Sequence, residues 1–117
     1  MNLLSSLFGP PSPSLSVLEL SEKLKSNKQT VVIDVRQPEE YREGHIAGSM
    51  LIPLGELNKR ISELPKDREI FCICASGSRS HSATKYLISS GYNAFDVKGG
   101  MYTWQNAKLP IKKGTAA

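Results

Sequence analysis

The stretch Glu69-Ile70-Phe71-Cys72-Ile73-Cys74-Ala75-Ser76-Gly77-Ser78-Arg79-Ser80 decides the reading of this chain. Glu69 to Ile73 is an almost unbroken apolar run and reads as a strand buried on both faces. Cys74 to Ser80 changes abruptly to small and polar residues, the composition of a tight loop. Ser80 to Ser90 then places Ala83, Leu87 and Ile88 on one side of a helix, with Gly91 as its stop. A strand passing through a short loop into a helix is the building unit of parallel sheets, and ligands gather at that junction.

The same alternation extends in both directions. Upstream, Val31-Val32-Ile33-Asp34-Val35 is a β-branched strand, and Pro38-Glu39-Glu40-Tyr41 opens a short helix with proline in its tolerated first turn. Gly44 to Ser49 is a turn and Met50-Leu51-Ile52-Pro53 a short strand. Leu54, Leu57, Ile61 and Leu64 fall at three- and four-residue steps, which predicts one amphipathic helix broken by Pro65-Lys66-Asp67. Ser16 caps a helix through Leu24, with Glu19 near its positive end. Downstream come a strand over Ala94 to Val97, a Gly99-Gly100 turn and a last helix over Met101 to Ala107. The pattern predicts an α/β domain over residues 14–112, with a mainly parallel sheet covered by helices on both faces. Residues 1–13, rich in proline and serine, read as an N-terminal tail, and residues 113–117 as a polar C-terminal one.

Composition narrows the function. The chain has 117 residues, 39% hydrophobic and 22% charged, with a net charge of +4. That is the balance of one globular domain. The positive residues are scattered among acids, so neither nucleic acid nor an anionic membrane is an expected partner. Residues 1–8 are partly apolar but have no basic residue before Gly9-Pro10-Pro11, which argues against a signal peptide. The two cysteines, one residue apart, give no disulfide framework. A monomer in the reducing cytoplasm is expected.

The loop carries the chemistry. Consecutive amides of a tight, small-residue loop can turn inward as an anion cradle, and the following helix aims its unpaired amides at the same spot. Gly77 allows a positive φ, and Arg79 adds a permanent charge. A cysteine at the mouth of such a cradle, as Cys74 is expected to be, is favoured as the thiolate and is a nucleophile at neutral pH. The candidate site is therefore Cys74 as nucleophile, Ala75, Ser76, Gly77, Ser78 and Arg79 as binding loop, and Asp34, Arg36 and Ser80 in support. Asp34 and Arg36 read as a buried pair or loop clamp. Cys72 reads as a core residue, His45 as structural, His81 as a neighbour of the pocket rim, and Trp104 as the anchor of the last helix. No metal site is expected, since Cys72, Cys74, His45 and His81 lack ligand spacing.

This loop, together with Val32-Ile33-Asp34-Val35-Arg36, Glu39-Glu40-Tyr41, Gly44-His45-Ile46-Ala47-Gly48-Ser49, Ile52-Pro53 and Gly99-Gly100-Met101-Tyr102-Thr103-Trp104, resembles the single-domain rhodanese-like sulfurtransferases over about residues 14 to 110. The resemblance implies a three-layer domain with a five-stranded sheet. It also implies a cysteine, matched by Cys74, that takes sulfane sulfur from thiosulfate or a persulfide and passes it to a thiophilic acceptor. That acceptor would be cyanide in an assay, or a thiol or protein thiol in the cell, with no cofactor needed. Two alternatives stand beside it. One is a sulfur-carrier or interaction module without turnover. The other is a cysteine phosphatase, disfavoured because its loop places arginine six positions beyond the cysteine, whereas Arg79 is five beyond Cys74. The family's thiosulfate-preferring members often carry a basic residue where this chain has Ala75.

Overall fold

A computed structural model of the chain describes residues 12–117. Its elements, in order, are β1 (Ser14–Leu15), α1 (Val17–Ser26), β2 (Val31–Asp34), α2 (Pro38–Glu43), β3 (Met50–Leu51), α3 (Leu57–Arg60), β4 (Glu69–Ile73), α4 (Ser78–Ser89), β5 (Asn93–Val97) and α5 (Gly100–Asn106). The five strands form one sheet in the order β1-β5-β4-β2-β3, and every pairing is parallel. The α/β sheet expected from the alternation is therefore present. Among the described residues no helix is long and apolar enough to cross a membrane.

The two-residue period of the strands sorts their side chains into two cores. On one face Ile33, Ile70, Cys72, Cys74 and Ala94 pack with Ala83 and Leu87 of α4 and with Leu57 and Leu64. On the other, Val32, Phe71, Ile73 and Val97 pack with Val17 and Leu20 of α1 and Met101 and Trp104 of α5. Leu20, Ile33, Ile70, Ile73 and Leu87 are fully buried, and each stabilises the fold by roughly 1.5–3 kcal/mol through desolvation. Ser16 and Glu19 form a reciprocal capping box at the start of α1, and the helix runs two residues past the expected Leu24.

One local expectation gives way. The amphipathic stretch from Leu54 to Leu64 is not one helix: a 3-10 turn at Leu54–Glu56, α3 and a second 3-10 turn at Ile61–Glu63 share it. The segment lies between Pro53 and Pro65, too short for a stable helix of its own, and burying Leu57 and Leu64 tightens its ends. The N-terminal tail assigned to residues 1–13 falls, for residues 1–11, outside the described residues. Pro13 already accepts a bond from the Asp96 amide at 2.8 Å. The C-terminal segment makes backbone contacts. The Gly114 amide donates to the Arg42 carbonyl, Lys112 bridges to His45, and His45 Nε2 lies 2.8 Å from the Ala116 carbonyl. Backbone partners on the α2 side satisfy groups that a free tail would leave to water.

Candidate active site

Cys74 follows the last residue of β4 and is fully buried. Its sulfur accepts a hydrogen bond from the Gly77 amide at 3.0 Å, and its thiol donates to Ser80 Oγ at 3.3 Å. Gly77 caps α4 at φ +119°, a conformation that L side chains rarely adopt, and this turns its amide back toward Cys74. Helix α4 starts at Ser78, two residues earlier than the sequence suggested. Its first amides, having no carbonyl one turn upstream, crown the same loop.

The loop is held from the far side by α5. The Met101 and Tyr102 amides donate to the carbonyls of Cys74 and Ala75, at 2.7 and 3.0 Å. These bonds tie the Cys74 and Ala75 carbonyls to α5, while the Gly77 amide is on the sulfur. Gly100 makes the approach possible. A Cβ there would lie 2.6 Å from the Ala75 carbonyl oxygen and closer still to that of Cys74, and its φ is +58°.

Both basic residues of the site are already paired. Arg79 donates to Glu40 through two parallel bonds of 2.7 and 2.9 Å. The Arg79 guanidinium in turn holds the Glu40 carboxyl down to about 2. Arg36, almost fully buried, grips Asp34 with bonds of 2.7 to 3.1 Å and donates to the Gly44 carbonyl at 2.8 Å. It thereby fastens the end of β2 to the loop after α2, the clamp that the sequence suggested. Two clefts border this region. One of about 320 Å³ is lined by Arg36, Ala75, Met101, Tyr102, Gln105 and Asn106, the other of about 380 Å³ by Arg36, Glu39, Glu40 and Gly44, with Glu43 and Gln105. Cavities of about 350 and 370 Å³ elsewhere include no residue of the Cys74–Ser80 loop.

Cys74, Gly77 and Ser80 are thus brought together, and Ala75 lines the adjoining cleft. Ser76 and Ser78 are exposed and His81 points to solvent. Two differences from the sequence reading matter. The sulfur is not at an open mouth but beneath the loop, and Arg79 is directed to Glu40. Cys72 lies in the core, its thiol pushed up to about 12 by burial. His45, stacked on Tyr41 with centroids 3.6 Å apart, bonds backbone carbonyls. Trp104 anchors the last helix through Nε1 to the Pro110 carbonyl at 2.8 Å. Glu40 and Asp96 were not singled out as site residues. Arg79's need for an acceptor was the only local hint of the first. For the second it was the position of Asp96 in an otherwise apolar strand.

Residues 16–107 match the rhodanese-like domain family, and the chain belongs to it. A sulfurtransferase of Allochromatium vinosum is 36% identical over 93 residues, covering 79% of this chain and 87% of that protein. The crystal structure of a rhodanese-related protein from Thermoplasma volcanium superposes with a TM-score of 0.80 at 36% identity, covering 86% of this chain and 97% of the other. Thiosulfate sulfurtransferase of Pseudomonas aeruginosa gives a TM-score of 0.82 at 28% identity, over 90% of this chain but 21% of that one.

Proposed function

We propose that the chain is a sulfurtransferase that moves sulfane sulfur from a persulfide or thiosulfate donor to a thiophilic acceptor through a persulfide on Cys74. The observation that carries this reading is the loop's polarity: the Gly77 amide is on the Cys74 sulfur while the carbonyls of Cys74 and Ala75 are turned to α5. Similarity to sulfurtransferases over most of the chain supports it. In the reaction Cys74 Sγ attacks the donor's outer sulfur, the donor S–S bond breaks, and its electron pair leaves on sulfite or a thiolate. The sulfur added to Cys74 carries negative charge, which Gly77 and the first-turn amides of α4 stabilise. A cyanide or thiol acceptor then takes that sulfur and restores the Cys74 thiolate in a double displacement. Ala75, Ser76, Ser78 and Arg79 shape the entry.

Because Cys74 is buried, each half-reaction requires Ala75–Gly77 to swing outward, a loop motion of the kind that gates many enzymes. Pairing of both cations supports a singly charged persulfide over dianionic thiosulfate as the better donor. The burial also favours a second reading, in which Cys74 carries sulfur only when a partner protein opens the loop. Two cysteines left as free thiols support, for either version, a reducing compartment such as the cytoplasm.

Intact mass spectrometry after a persulfide or thiosulfate pulse, followed by cyanide, tests the proposal. One sulfur gained by wild type, absent in Cys74→Ser and released as thiocyanate over repeated cycles, supports the enzyme. Loading only from a protein donor, without turnover, supports the carrier. No loading from any donor refutes both.

A further inference from the structure

We infer that Asp96 is the internal proton acceptor for Cys74, acting through the hydroxyl of Ser80. The inference rests on the reading of Cys74 as the sulfur nucleophile. A buried thiol must lose its proton to something, and Cys74 has no exposed surface. Its thiol donates to Ser80 Oγ at 3.3 Å. The Ser80 oxygen lies 2.6 Å from Asp96 Oδ1 and 3.1 Å from the Gly77 carbonyl. A serine has one proton to donate, and the short contact to a carboxylate takes it. The Ser80 lone pairs are then left facing the Cys74 thiol. Sulfur, hydroxyl and carboxylate form one directed chain, and Asp96, 8% exposed, is its end nearest to water.

The fold assembles this chain from three elements. Asp96 stands on β5 in register with Cys72 on β4, so it shares with Cys72 and Cys74 the sheet face that α4 covers. Ser80 and Thr84 sit on the buried side of α4, and the Thr84 hydroxyl is occupied by the Ser80 carbonyl at 2.8 Å. The groups packed around Asp96 are Cys72, whose thiol stays protonated, Ser14 across the β1 register, and Ser80. Among the described residues no cation is ion-paired with Asp96. Among the described residues the Asp96 carboxylate accepts a side-chain hydrogen bond from the Ser80 hydroxyl alone.

The step balances. As the bond between Cys74 Sγ and the donor sulfur forms, the S–H proton moves to Ser80 Oγ and the Ser80 proton to Asp96 Oδ1. The donor S–S bond breaks with its electron pair on the leaving group, and Asp96 ends as the acid, returning its proton through Ser80 to the Cys74 thiolate when the acceptor removes the sulfur. One negative charge stays in the buried cluster throughout. A thiol that ionised straight to water would place a second anion beside Asp96.

Alkylation of Cys74 by the neutral reagent iodoacetamide tests the chain without any sulfur donor, so its outcome is independent of whether sulfur transfer occurs. The rate is followed from about pH 5 to 9 with Cys72 replaced by Ala in the background, and thermal unfolding of each variant is recorded alongside. Asp96→Asn is expected to slow alkylation at pH 7 about 100-fold, the low end of what a positioned base contributes, and to displace the rate profile to higher pH. Ser80→Ala is expected to do the same, and the double variant to be no slower than either single one. If Asp96 were only a neighbouring charge, Asp96→Asn would instead speed alkylation, because removing an anion favours a second one. A faster or unchanged rate, or additive losses in the double variant, overturns the inference. A variant that unfolds is replaced by Asp96→Glu, where recovery of the rate supports the chain and a rate as slow as Ser80→Ala overturns it.

Discussion

Replacing Glu40 by Gln frees Arg79 and should convert a charge-indifferent entry into one that attracts anions. The Glu40 carboxyl is held at about 2, against an ordinary 4.5. Taken whole, that difference corresponds to roughly 3 kcal/mol. Both side chains are about one-third exposed, at 33% and 35%, and solvent screening reduces the pair's worth to about 1 kcal/mol. The effect on a donor is the larger one. A unit positive charge one physiological Debye length, about 8 Å, from a dianion, at an effective dielectric between that of water and half of it, contributes roughly 1–2 kcal/mol. Glu40→Gln should therefore lower KM for thiosulfate about 5- to 30-fold, while an uncharged polysulfide donor changes less than about 2-fold. Steady-state thiocyanate formation at low ionic strength measures this, and the gain should shrink as salt is raised. A thiosulfate KM that is unchanged or higher in the variant would show that Arg79 does not reach the donor's path, and the charge argument would fail.

The same ion pair predicts an acid limb. Because the folded Glu40 carboxyl sits below its unfolded value, its stabilisation is complete above about pH 4.5 and is lost as pH falls toward about 2. Urea unfolding across that range should show wild type losing about 1 kcal/mol more than Glu40→Gln. Gly100→Ala forces a Cβ against the Ala75 carbonyl at a φ of +58°. It should cost about 2–4 kcal/mol in urea unfolding, combining overpacking and backbone strain, and slow sulfur loading of the protein that remains folded. Arg36→Met leaves Asp34, which is fully buried, without its cation. A loss of about 3–5 kcal/mol is expected, most of it recovered when Asp34→Leu is added.

How much of this was legible in the sequence depends on the range of the signal. Strands β2, β4 and β5 were plain because buried parallel strands write themselves as apolar runs, and α4 because Ala83 and Leu87 recur on one face. Strand β1, two residues long, was invisible: it exists through its register with Asp96 and Val97, and two residues carry no period. At the site, Cys74 and its loop were legible from composition. The polarity of that loop was not, because it is imposed by amides of Met101 and Tyr102, distant in sequence and admitted by Gly100. Nor was the fate of Arg79 legible, since its carboxylate lies 39 residues upstream. A cation in a loop shows that charge is present. Whether that charge is free is decided by the tertiary fold.

That distinction governs what the site can accept. Arg79 and Arg36 are each neutralised by a carboxylate, and Asp96 adds a further negative group beneath Cys74. Neither arginine is then left unpaired beside the sulfur, and on the proposed mechanism the stabilisation of an anionic sulfur falls to oriented amides, which act at short range and with direction. Amides gathered by a loop of this length suit a single charged atom held close. They do little for charge spread over several oxygens farther out, where free cations would be needed. A terminal persulfide sulfur has the first character, and thiosulfate or a phosphate ester the second. Arg79, read at first as an added charge for an anion, instead holds α2 against the loop, while Arg36 fastens the end of β2. On the proposed function, a preference for persulfide over thiosulfate then follows from the absence of a free cation.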